Sequence, residues 1–259
     1  MKPPIPPLLF AVLFFVGMLL LLETGRRLGI RRRPKESEGE RGSLGTVEGA
    51  VFALFGLVMA FTFAGAASRF NEKRMLIAEE VNTIETAYLR LHLVSQPARS
   101  ELQGLFRQYV DSRLNTYRQL PDMQAAEREM AKSKTIQEEI WSDAVAATVL
   151  PNSHPDSGKL LLPALNNMID ITTTRAMALR IHPPSIIYWL LFSLGLICSL
   201  LAGYRMAIGQ RRSWIHILAF TLITVIIVYV ILDVEYPRTG LIRIEANDQL
   251  LVQVRESMK

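Results

Sequence analysis

The sequence predicts an all-α fold: four transmembrane helices, with a helical extramembrane domain inserted between the second and the third. Three observations predict it. Half of the 259 residues are hydrophobic, and they gather into four blocks instead of spreading along the chain. Each block is long enough for the ~30 Å of hydrocarbon that about 20 helical residues cross. The residues between blocks two and three repeat with helical periodicity, not with the alternation of strands.

The blocks cover roughly residues 5–22, 44–67, 183–204 and 213–232, and Glu48 is nearly their only charge. The first has Lys2 alone ahead of it, no small-residue cleavage site behind it and a basic stretch after it, so it reads as a retained span and not a signal peptide. The chain therefore divides into spans one and two with their basic connector (1–67), a helical extramembrane domain (68–182), spans three and four (183–232) and a tail (233–259) expected to pack on that domain. Cys198, the single cysteine, lies in span three, which rules out an intrachain disulfide and fits a small packing residue.

In the extramembrane domain, Ile77, Val81, Ile84, Tyr88 and Leu91 fall 4, 3, 4 and 3 residues apart, the spacing of an a/d seam. Pro97 suits the first turn of a second helix carrying Leu102, Leu105, Phe106, Tyr109 and Leu120 on one face. A third helix, about 123–149, would bury Met130, Ile140, Trp141 and Val145. PNSHPDSGK (151–159) reads as a loop, and a fourth helix follows over about 160–180. In the tail, residues 241–244 have a short β pattern, and Asp248 suits the cap of a short helix with Leu250, Leu251 and Val254 inward.

The net charge of +5 is unevenly placed. Residues 68–182 balance 14 Lys/Arg against 14 Asp/Glu, whereas 23–43 carry 7 basic and 4 acidic residues and 205–213 carry 3 basic and none acidic. Excess charge in short connectors marks topology and not a nucleic-acid surface, so no nucleic-acid partner is expected. The positive-inside rule puts both connectors in the cytoplasm and the domain and termini outside. Arg69, Lys73 and Arg74, just past span two, pull the other way.

No phosphate loop, nucleophile elbow or metal motif occurs, so no enzyme activity, cofactor or metal is expected. His92, His154, His182 and His216 lack ligand spacing. Glu79, Glu80 and Glu85 read as a solvated or subunit-facing side of the long helix. Span two is the most informative stretch. Gly45, Gly49, Ala53, Gly56, Ala60 and Ala64 form a small-residue stripe suited to close helix approach. Beside it run Phe52, Phe55, Met59 and Phe63. Two readings fit: both stripes pack against the other spans and lipid, or copies of this helix surround an axis that the bulky residues constrict. Glu48 fits either an aqueous-facing position or an interfacial one. Span two then continues without a breaker into the heptad seam. The combined helix, about 44–94, would be roughly 75 Å long at 1.5 Å per residue.

FTFAGAASRFNEKR (61–74), AEEVNTIETAYLRLHL (78–93) and DVEYPRTGLIR (233–243) resemble the bacterial membrane proteins known as bestrophin-like. The resemblance runs from about residue 42 into the tail. A more distant resemblance is to bestrophins, pentameric anion channels with four spans and a helical domain between the second and third. Their span-two exit, of the type R-W-x-E-x-R, is similar to Arg69, Phe70, Glu72 and Arg74 here, with Phe70 where they have Trp. Their neck implies a constriction role for Phe55, Met59 and Phe63, although the composition departs from their motif. Their domain and termini are cytosolic, the reverse of the charge rule. The resemblance implies a homo-oligomeric channel for small ions in the bacterial inner membrane, in contact with lipid. The alternative is a non-conducting sensor or scaffold that signals along the span-two helix.

Overall fold

The protein is described by a computed structural model over residues 6–32, 37–120, 122–207, 213–237, 241–242 and 244–258, without the side chains of 38, 40, 41 and 245–248. Eight α-helices form among these residues, and no strand does. They are α1 (Pro7–Arg32), α2 (Glu38–Arg90), α3 (Ala98–Arg118), α4 (Met123–Thr148), α5 (Ser157–Arg180), α6 (Ser185–Met206), α7 (Trp214–Glu235) and α8 (Glu245–Ser257), with a 3-10 turn at Leu91–Leu93. Four helical stretches, lying in α1, α2, α6 and α7, are long and apolar enough to cross a membrane. The protein is thus an all-α membrane protein.

Two compact units emerge. One holds Lys2–Arg69 and His182–Tyr236; the other holds Phe70–Ile181 and Pro237–Lys259. α2 contributes to both as one 53-residue helix, roughly 80 Å at 1.5 Å per residue.

In the first unit, α1 packs on α6 through Ala11, Phe14, Met18 and Leu22, with Phe10 and Phe14 closing on the Phe192 ring at 4.1 and 5.6 Å. Lower down the two backbones touch. A Cβ at Gly25 would lie 1.9 Å from the Leu200 carbonyl oxygen, and one at Gly203 would lie 1.9 Å from that of Leu22. Only hydrogen fits at these positions. Small residues permit such close approach, and in lipid the resulting van der Waals contact holds helices together in place of the hydrophobic effect.

In the second unit, Ile84, Leu91, Phe106, Tyr109, Ile140, Leu161, Leu165 and Met168 make one core. The seam on α2 is its spine: Ile77, Val81, Ile84 and Leu91 are buried and Tyr88 packs against the cluster. Pro97 is the N-cap of α3. Asp122 caps α4 by accepting from the Gln124 and Ala125 amides at 3.0 and 3.2 Å. From the tail, Leu251, Val254 and Met258 enter the same core, and Arg255 pairs with Asp111 at 2.8 and 3.0 Å.

Several expectations are corrected. α4 buries Ala126, Ser133, Ile136, Gln137, Ile140, Ala144 and Ala147, while Trp141 and Val145 are exposed and Met130 is half-buried. Its inward face sets Ile136 and Ile140 among small and polar residues, Ser133 bonding to Ser112 on α3, so of the four residues expected there only Ile140 is buried. Asp248 lies inside α8, whose N-cap is Ile244. Residues 241, 242 and 244 form no strand. Much of the basic connector between spans one and two is helical, since α1 runs to Arg32 and α2 starts at Glu38. The hairpin expected around 209–212 falls outside the described residues.

Candidate functional site

Within the first unit, α2 turns Glu48, Phe55, Thr62 and Ala66 inward, spaced 7, 7 and 4 residues apart. Gly49, Ala53, Gly56, Ala60 and Ala64 are exposed and Gly45 is partly covered, so the small-residue stripe faces away from the chain's own helices. Among the described residues, nothing lies within 4 Å of a Cβ built at Gly49 or Gly56. Gly45 alone has a neighbour, the Arg205 guanidinium at 3.6 Å from such a Cβ.

The bulky set divides. Phe55 is buried, its ring 3.3 Å from a Cβ built at Gly195 on α6. Phe52 is half-buried and meets the Phe220 ring edge-on at 6.1 Å. Met59 is half-buried, and Phe63 is 43% exposed. The four lie along one arc of the helix, Phe55 about 60° round from Phe52, with Phe55 at the covered edge against α6 and Phe63 at the open one. Glu48 is also internal. It is 5% exposed and accepts a hydrogen bond from Arg205 Nη1 at 3.3 Å.

At the end of the span-two segment, Arg69 donates from Nε and Nη2 to Glu235 Oε2 at 2.9 and 2.7 Å. Glu235 is fully buried at the end of α7, and His182 Nδ1 lies 2.9 Å from its Oε1. The imidazole stacks on Tyr236 at 4.8 Å. Desolvating a carboxylate costs several kcal/mol, and a bidentate guanidinium with a second donor is the arrangement that offsets it. Of the other exit residues, Phe70 is half-buried with the Arg74 guanidinium 5.9 Å from its ring centre, while Glu72 and Arg74 are exposed.

The second unit holds a buried polar centre. Glu80 on α2 is fully buried. Its Oε1 accepts from Arg113 Nε at 2.6 Å, and its Oε2 accepts from Tyr117 Oη at 3.1 Å and from Arg175 Nη1. Arg113 also donates Nη2 to Tyr117, whose ring carries the Arg175 guanidinium 4.0 Å from its centre. Burial alone would raise the Glu80 carboxyl, but Arg113 and Arg175 outweigh it and hold it at about 2. Burial pushes the Tyr117 phenol up to about 12 and Tyr109 higher still. The centre is therefore one carboxylate between two guanidiniums, locked and fully charged at neutral pH. The surface role expected for Glu80 is corrected; Glu79 and Glu85 are exposed.

A family model for the bestrophin-like domain matches residues 12–248. The chain belongs to the bestrophin-like family. In this bestrophin-like protein the match takes in both units, from the second turn of α1 into α8. No curated protein and no solved structure matches the chain.

The structure brings together residues that sequence reasoning left scattered. No motif or spacing singles out Arg113, Tyr117 or Arg175, His182 lacks ligand spacing, and Glu235 falls in the tail. A signal existed for Glu235, a carboxylate at the end of an apolar span opposite the Arg69 expected at the boundary. Among the described residues, no three His, Cys, Asp or Glu side chains converge as a metal site would require.

Proposed function

We propose that this bestrophin-like membrane protein is a homo-oligomeric channel for small ions, with α2 nearest the shared axis. The observation that carries the reading is the uncovered small-residue face of α2. A run of Gly and Ala without side-chain bulk is costly to leave against lipid, where it makes few contacts. Against another copy of the helix, or around an axis, it permits close approach. Phe63 and the partly covered Phe52 and Met59 flank that face and would supply apolar bulk to a constriction that gates by dewetting. The activity requires ion passage and no covalent chemistry, so the protein is proposed to be no enzyme and to need no cofactor. Its place is the bacterial inner membrane, with the helical unit and the termini outside by connector charge, or cytosolic as bestrophins have them.

The test is purification, native mass measurement and reconstitution into liposomes with halide and cation flux read separately. A homo-oligomer with flux is expected. A monomeric mass with no flux under any condition overturns the proposal. A second reading, a non-conducting scaffold, draws on the unbroken α2 and its hold on the Glu80 centre. A defined protein partner together with absent flux would favour it.

A further inference from the structure

Between α4 and α5, within the helical unit, lies a cleft of about 670 Å³. That size falls in the range of small-molecule sites, which are concave, mostly apolar and carry a few convergent polar groups. Its floor includes Arg113, which is 2% exposed. Two of its nitrogens are committed, Nε to Glu80 and Nη2 to Tyr117. Nη1 has no hydrogen-bond partner among the described residues. A largely buried guanidinium that keeps one donor edge open at a cavity wall suits an anion, because a charge-assisted hydrogen bond is stronger there than at the surface.

Two further cations line the cleft, Lys134 from α4 and Arg180 from α5, against the single carboxylate of Glu138. Neither forms an ion pair among the described residues. Apolar wall is supplied by Ile169 and by Trp141 and Met177, which are 37% and 60% exposed. An indole left partly bare beside uncompensated cations gives one surface for a ligand's body and another for its charge.

We propose that this cleft binds a small amphipathic organic anion, its carboxylate toward Arg113 between Lys134 and Arg180 and its apolar body against Trp141, Ile169 and Met177. The assignment is independent of whether the protein conducts. Because Arg113 also holds Glu80, an occupant shares a guanidinium with the long helix α2. Two sources offer this chemistry, a lipid-derived fatty acid and a water-soluble aromatic acid.

The full chain in nanodiscs, with Trp189→Phe and Trp214→Phe so that Trp141 is the sole indole, reports binding by heavy-atom quenching. The probes are 12-bromododecanoate and 4-iodobenzoate, each beside its alcohol. Saturable quenching by at least one acid is expected, with its alcohol weaker by about tenfold or more, the ratio that one charge-assisted contact supplies. Lys134→Glu with Arg180→Glu, both at exposed or rim positions, should weaken the acid by a similar factor while leaving the circular dichroism unchanged. Saturation by the bromo acid alone identifies the lipid source, and by the iodo acid alone the soluble one. Quenching that rises without saturation, or acid and alcohol quenching alike in parent and double variant, overturns the proposal.

Discussion

Glu80 is where a single side chain matters most in this fold. Its carboxylate is fully buried, and three donors from α3 and α5 converge on it. Replacing it by Gln leaves Arg113 and Arg175 buried without a counter-charge, and breaking such a group from one side costs ~3–5 kcal/mol. Glu80→Gln should therefore lower the thermal midpoint of the helical unit well below that of Glu79→Gln, an exposed neighbour, as read by circular dichroism. The pH dependence follows from the same contacts. The carboxyl is held at about 2 against an ordinary 4.5, so its contribution is present above pH 4.5 and is lost as pH falls from there toward 2. Acid titration of the full chain should show this loss in the parent and a smaller one in Glu80→Gln. Equal losses would mean that Glu80 is not the group being protonated.

At the scale of elements, the α1–α6 contact and the outer face of α2 make opposite demands on glycine. Gly25 and Gly203 each sit against a carbonyl oxygen, so Gly203→Leu must push two backbones apart. Overpacking of this kind costs ~1–3 kcal/mol or more, and the detergent-solubilised protein should melt earlier. Gly56 meets nothing within its own chain among the described residues, so Gly56→Leu should leave the helical content read by circular dichroism unchanged. On the channel reading it should nevertheless abolish assembly or flux. A Gly56→Leu protein that retains both mass and flux would remove α2 from the axis. For α8, Leu251→Ala in the core should cost ~2–5 kcal/mol. Arg255→Ala, which removes a part-exposed ion pair with Asp111, should cost ~1 kcal/mol or less, measured by the same melting curves.

For the whole molecule, what was legible in the sequence is what depends on local pattern. The four spans could be read because hydropathy is sustained over whole membrane thicknesses. The length of α2 could be read because nothing between 44 and 90 breaks a helix. The inward seam from Ile77 to Leu91 could be read because heptad spacing selects one face. What was hidden depends on partners far away in the chain. Glu80 meets Arg113, Tyr117 and Arg175 across 33, 37 and 95 residues, and no spacing rule links them. Glu48 could be singled out but not interpreted, since Arg205 lies 157 residues on. Span two showed which residues are small and which are bulky. Which side of it turns inward depends on distant neighbours such as Gly195, where a Cβ would lie 2.7 Å from Phe14 and 3.3 Å from Phe55.

The helical unit is discontinuous: Phe70–Ile181 precede spans three and four, and Pro237–Lys259 follow them. Leu251, Val254 and Met258 reach the core only after both later spans have left the ribosome. Until then α3, which meets the tail through Arg107 at Met258 and Asp111 at Arg255, lacks that partner, so completion of this unit waits on synthesis of both later spans. A stalled nascent chain ending at 236 should accordingly be cut by protease within 98–118, where the released protein resists. Translation thereby imposes an order of events, threading first and closure second, on a unit whose closing helix is the last to be made.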